Sequence, residues 1–200
     1  MSKINIEFEQ YNELINSLYD AAKDDSTKSW GEPLKLLQAL FKANYVTLIL
    51  KLPKEDDPGL LLAVGGDLDE DQSVQYLPYQ HHLTPFSDQP PDKVLTVSDF
   101  MFDAEWQKSS YRQHWCACND VYHVMIVDIS TPDVGNLRFR VTRGEAQEDF
   151  SESDKALCEM LVPHFRRTIS TFLQLNSSAS LGSLYSRATV SYTHLTLPTN

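Results

Sequence analysis

His114-Trp115-Cys116-Ala117-Cys118 puts one imidazole and two thiols on a short stretch of chain. Imidazole and thiolate are ligands for zinc or copper(I). Cys-x-Cys supplies only two of the four ligands of a tetrahedral site, and the sequence holds no second cysteine pair to close it. On a helix, residues spaced i, i+2 point about 200° apart. We therefore expect no metal. Nucleophilic catalysis needs a nucleophile, a base and an orienting group in one place. The third cysteine, Cys158, falls beside the apolar stripe of a predicted helix, where it packs rather than reacts. No Gly-x-Ser-x-Gly, Walker or dinucleotide motif occurs, and Gly65-Gly66 is too short to cradle a phosphate. The acidic run Asp67 to Asp71 lacks the central glycine and terminal glutamate of a calcium loop. No catalytic residue and no cofactor are assigned.

The aromatic residues point to binding instead. Tyr111, Trp115 and Cys118 share one helix face at i, i+4, i+7, with Trp106 about half a turn away from Trp115. His123 and Met125 alternate on the strand that follows. Tyr111, Trp115, His123, Met125 and Trp106 are the candidate lining of a small-ligand pocket, with the Tyr- and Pro-rich loop 74–92 beside it. The competing reading is an ordinary aromatic core. Arg138, Arg140 and Arg143 either dock an anion or partner, or form a solvated strand face.

These residues need elements to hold them. Phe8, Tyr11, Leu14, Ile15, Leu18, Tyr19 and Ala22 follow helical spacing over 7–22, and Leu34, Leu37, Leu40 and Phe41 do so after Pro33. Tyr45 to Leu52 and Leu60 to Val64 read as strands around a Lys54–Gly59 turn, and form a hairpin. Val94 to Val97 is a short strand. Asp103 caps a helix predicted to run to about Ala117, and Val121 to Ile129 and Asn136 to Thr142 are two further strands. The last of these alternates apolar residues with arginines, which predicts one solvated face. Ser151 and Asp154 form a capping box for a helix to about Leu175, kinked at Pro163. The order α-α-β-β-loop-β-α-β-β-α predicts an α+β fold, a GAF- or PAS-like antiparallel sheet flanked by helices.

Composition narrows the class. The 200 residues hold 28 acids against 17 bases, a net charge of −11. So few bases leave no broad face for a nucleic-acid backbone. Three cysteines do not make a disulfide framework. No apolar run reaches the roughly 18 residues of a membrane span, and the N-terminus lacks the core of a signal peptide. The expectation is a cytoplasmic protein with no membrane partner.

The C-terminal residues read differently from the rest. Val190 to Thr199, Val-Ser-Tyr-Thr-His-Leu-Thr-Leu-Pro-Thr, matches one reading frame of a transposon-type sequencing adapter. We expect residues 189–200 to be a non-native tail, with natural sequence ending near Ala188 and continuing into something not present. The expected organisation is 1–175, a sensory domain; 176–188, a linker and the start of a truncated segment; and 189–200, the tail.

Three stretches carry a family resemblance. They are Leu18-Tyr-Asp-Ala-Ala22 followed by Trp30; Trp106-Gln-Lys-Ser-Ser-Tyr-Arg112 before Trp115; and Phe150-Ser151 through Leu161-Val-Pro-His-Phe-Arg-Arg167. The sequence resembles the N-terminal sensory region of LuxR-type helix-turn-helix transcriptional regulators, the subset with a GAF-like domain. The resemblance implies a non-enzymatic sensor that answers a small-molecule effector. It also implies a homodimer, with Met160, Phe165, Phe172 and Leu173 as candidate dimerisation residues, and contact with DNA only through a C-terminal domain beyond residue 188. The alternatives are a stand-alone GAF-like ligand-binding or dimerisation module and, from a different class, a small Cys/His enzyme.

Overall fold

A computed structural model describes residues 6–24, 27–51, 60–65, 86, 89–131 and 135–175, apart from the side chains of Thr27, Lys51, Leu60, Leu61, His114, Trp115 and Cys118. The adapter-like residues 189–200, the linker 176–188 and most of the loop 74–92 lie outside the described residues.

The helices are α1 (Phe8–Lys23), α2 (Gly31–Leu40), α3 (Asp103–Lys108) and α4 (Glu152–Leu175), and the strands are β1 (Tyr45–Lys51), β2 (Leu60–Gly65), β3 (Leu95–Thr96), β4 (His123–Thr131) and β5 (Gly135–Arg143). The strands form one antiparallel sheet in the order β2-β1-β5-β4-β3. The α+β prediction therefore holds, and β5 is the central strand.

Strand alternation sorts the side chains into two layers. Val46, Leu48 and Leu50 of β1 face the same way as Leu137, Phe139 and Val141 of β5 and Met125, Val127 and Ile129 of β4. α1, α2 and α4 cover this face with Leu14, Leu18, Leu34, Leu37, Leu161 and Phe165 among others. Phe165 stacks on Phe139 at 4.7 Å between ring centroids, and Phe172 meets Trp30 edge-on at 5.6 Å. Burial of each such aromatic contributes roughly 2–3 kcal/mol.

This packing corrects the dimerisation candidates. Phe165, Phe172 and Leu173 are buried in the core of their own chain. The α4 stripe is wide because it meets the sheet on one side and α1, with Trp30, on the other. Of the four candidates only Met160 reaches the surface.

The start of α4 is held as the sequence predicts. The Ser151 N–H donates to Asp154 Oδ2 at 2.8 Å, and the Asp154 N–H donates back to Ser151 Oγ at 3.2 Å. α4 runs on unbroken through Pro163, which has no N–H to donate to the carbonyl of exposed Glu159. Arg143, at the end of β5, reinforces this corner. It donates to the Phe41 carbonyl through Nε and Nη2 and to the Glu148 and Asp149 carbonyls through Nη1, while its guanidinium lies 4.2 Å from the Phe150 ring centroid.

Two expectations fail between residues 103 and 143. The helix from Asp103 stops at Lys108 because Ser109 is extended, and the chain then re-forms as a wide π-type turn over Arg112–Cys116. The Arg112 N–H caps onto Ser109 Oγ at 3.1 Å. The predicted solvated face of β5 is also absent. Arg140 and Arg143 are buried and Arg138 is half-buried, because the sheet is covered on both sides.

Candidate functional site

The second face of the sheet carries the polar chemistry. Its cross-strand rows follow from register. One runs Leu95, Ile126, Arg140, Thr47, Ala63 across all five strands, and the next runs Asp128, Arg138, Ile49. Over the β3–β4 side lie Trp106 of α3 and Tyr111 and Cys116 of the turn that follows, with Phe86 among them.

The break at Ser109 builds this layer. On an unbroken helix Trp106 and Tyr111 would be divergent, yet their ring centroids lie 6.3 Å apart. Phe86 bridges them, at 6.2 Å from Trp106 and 6.1 Å from Tyr111, and meets Phe100 edge-on at 5.5 Å. The Trp106 Nε1–H donates to the Tyr122 carbonyl at 3.1 Å, which fixes the indole.

Two arginines point into this layer from β5. Arg138 is bound bidentately by Asp128, directly opposite it on β4, with Nε to Oδ1 at 2.6 Å and Nη2 to Oδ2 at 2.7 Å. Its Nη2 also donates to the Phe86 carbonyl at 2.9 Å. Arg140 stands two residues on, between Ile126 and Thr47 in the ladder. It donates from Nε to Thr47 Oγ1 at 3.3 Å and from Nη1 to the Tyr111 hydroxyl. Burial pushes the Tyr111 phenol above its ordinary value, with Arg140 pulling against it, so the hydroxyl stays protonated.

The candidate lining residues divide accordingly. Trp106 and Tyr111 come together on the second face. Met125 does not join them, because it packs in the helix-side core. His123 shares its strand parity with Met125 and lies beside the α4 corner, its Nδ1 3.4 Å from Asp149 Oδ1 and its ring against Tyr122. The physical reason is the two-residue period of β4: the face that turns toward α3 is that of Val124 and Ile126. The Trp115 backbone lies in the π-type turn, but its side chain is outside the described set. The sequence reading missed Thr47 and Phe86, and it offered Arg140 either as an anion or partner dock or as part of a solvated strand face. The parity of Arg140 against Leu137, Phe139 and Val141 was visible, and so was the signal that both faces of β1 are apolar or small, which marks a strand covered on both sides.

The thiols behave as packing groups. Burial pushes the Cys116 thiol up to about 12 although Arg140 and Arg112 pull it down, and burial also drives Cys158 upward. Both are fully buried and protonated at neutral pH. Among the described residues no cluster of His, Cys, Asp or Glu has the grouping of a metal site.

The same architecture occurs in solved proteins. The VqsR ligand-binding domain of Pseudomonas aeruginosa aligns with a TM-score of 0.56 at 12% identity, over 84% of this chain and 98% of that one. CepR2 of Burkholderia cenocepacia, an N-acylhomoserine lactone dependent LuxR-family transcription factor, aligns at 0.54 and 10% identity, over 83% and 96%. Free methionine-R-sulfoxide reductase of Neisseria meningitidis aligns at 0.51 and 11% identity, over 87% and 98%. At these identities the likeness is one of fold. No protein-family model and no curated protein matches the sequence. No helix among the described residues is long and apolar enough to cross a membrane.

Proposed function

We propose that this chain is the ligand-binding sensory domain of a LuxR-type transcriptional regulator. A small-molecule effector binds on the second face of the sheet, and α4 passes the change to a helix-turn-helix domain beyond the linker at 176–188. The observation that carries this reading is the layer of Trp106, Tyr111 and Phe86 over a sheet face with Arg140 at its centre. It is a mostly apolar layer with a few convergent polar groups, the usual make-up of a small-ligand site. The fold shared with VqsR and CepR2 supports the class. Residues 189–200 are a foreign tail, and DNA contact belongs to the C-terminal domain alone.

The full gene sequence tests the regulatory half. A helix-turn-helix downstream of residue 188 is expected, and its absence favours a stand-alone GAF-like module. Trp106 fluorescence tests the ligand half. Titration with small amphiphiles should shift emission in the natural protein and not in Trp106→Phe. A panel that leaves the emission unchanged defeats the ligand-binding reading.

A further inference from the structure

We infer that the strap from Asp92 to Asp99, which carries β3 along the sheet edge, couples the aromatic layer of the second face to α4. The inference deepens the sensory reading above, since it names the path between the ligand face and the output helix. Its test needs no ligand.

The strap belongs to both faces at once. Val94 packs into the helix-side core, while Leu95 and Val97 pack into the second cluster with Phe86, Trp106 and Tyr111. Two ion pairs tie the strap to α4, about three turns apart on one side of that helix. Near the start of α4, the Lys155 ammonium donates to Asp99 Oδ1 at 2.9 Å. The other Asp99 oxygen accepts from the Thr96 N–H at 2.7 Å and from Thr96 Oγ1 at 2.9 Å, so this tie is rooted in the backbone of β3. Further along α4, Arg166 Nη2 lies 2.5 Å from Asp92 Oδ1, and its Nε–H donates to the Ser130 carbonyl of β4 at 3.0 Å.

A continuous run of hydrogen bonds leads from the second tie to the aromatic layer. The Asp92 N–H donates to the Asp128 carbonyl at 2.6 Å. The Asp128 carboxylate holds Arg138, and Arg138 donates to the Phe86 carbonyl. The Phe86 ring meets Trp106 and Tyr111. The first tie reaches the same ring by packing, because Phe100 follows Asp99 and meets Phe86 edge-on. Asp92 itself sits at φ 62, in the left-handed region. A side-chain-bearing residue keeps that conformation where its surroundings fix it, and here the bonds to Asp128 and Arg166 do so. Coupling between two places is reciprocal. A ligand that shifts Phe86 therefore pulls on α4 through the strap, and releasing the strap from α4 loosens the layer.

The second direction is the one to measure. Cys116 is fully buried in the second cluster and Cys158 in the helix-side core, so their rates of maleimide labelling report the opening of each side. The experiment uses the 200-residue chain carrying Cys118→Ser, at neutral pH, with each site read by peptide mass spectrometry. Arg166→Met and Lys155→Met should each raise the ratio of Cys116 to Cys158 labelling about threefold, the scale of a partly exposed ion pair. Asp92→Asn and Asp99→Asn should reproduce the effect from the strap side, and they keep the test intact if an α4 variant fails to fold. Asparagine tolerates the left-handed backbone at position 92. Arg166 and Asp92 act through one contact, so the double variant should match the single ones. Arg167→Met, an exposed neighbour on α4, should leave the ratio unchanged. An unchanged ratio for either pair overturns the inference. So does an equal rise in Arg167→Met, or a double variant whose effect is the product of the singles. None of these outcomes bears on ligand binding, which the Trp106 fluorescence titration decides on its own.

Discussion

The two faces of the sheet are built from the same strands and do opposite work. The helix-side face is apolar through its central rows and is closed by three helices whose stripes match it. The second face mixes Ile126, Ile49 and Val124 with Arg138, Arg140, Asp128 and Thr47, and is met by a short helix and an irregular turn. Dispersion and burial hold the first face, and mutual fit decides its stability. Directed hydrogen bonds organise the second, where each buried donor or acceptor needs its partner and loss of one is costly. The contrast separates a load of stability from a place where recognition is possible, within a sheet only one residue thick.

The largest expected effect breaks the helix-side face. Phe172→Glu puts a carboxylate against Trp30 in a fully buried position, and the domain should lose more than about 4 kcal/mol and fail to fold. A folded, monomeric Phe172→Glu protein by circular dichroism and sedimentation would mean that Phe172 faces a partner rather than the core.

A smaller effect comes from the seam between α1 and α4. His164 stands between two hydroxyls, with Nε2 3.0 Å from Tyr11 and Nδ1 3.2 Å from Tyr19. Burial, and then the Arg167 charge, lower its pKa below 6.5. The unfolded chain therefore binds the proton more readily than the folded one. Stability present above about pH 6.5 should fall as the pH drops through 6.5 toward the folded-state value. The drop in unfolding midpoint between pH 7 and pH 5 should be smaller in His164→Gln than in the natural protein. An identical drop in both would remove His164 from the account.

The smallest effect marks where neither face reaches. Phe102, four-fifths exposed at the start of α3, should tolerate replacement by Ser within about 0.5 kcal/mol in a denaturant titration. A larger loss would show that its ring belongs to the second layer.

The helix-side face was legible in the sequence because periodicity reports burial directly. The spacings of Leu14, Leu18, Leu34, Leu37 and Phe165 place α1, α2 and α4, and Ser151 with Asp154 marks the start of α4 to the residue. The second face was legible only in part. Trp106 and Tyr111 were identified as residues, but the helix carrying them was drawn too long, since Ser109 gives no strong stop signal and its extended backbone is set by packing. Arg140 looked solvated because an alternating strand is ordinarily covered on one side, and coverage of the other side depends on segments distant in sequence. Met125 was placed on the wrong face because the parity of β4 relative to β5 follows from register, which pairs Met125 with Val141.

The Arg143 corner has a consequence for the order of events in folding. One guanidinium gathers the Phe41 carbonyl after α2 and the Glu148 and Asp149 carbonyls ahead of α4, from a position at the end of β5. These segments are separated by about a hundred residues of chain, so the contact is completed only after β1, β5 and the approach to α4 have all arrived. A contact made after the rate-limiting step resists opening without hastening closure. Arg143 is therefore a latch: replacing it by Met should speed unfolding in stopped-flow measurements while refolding stays close to its natural rate, and a matching slowdown of refolding would place the corner in the nucleus instead.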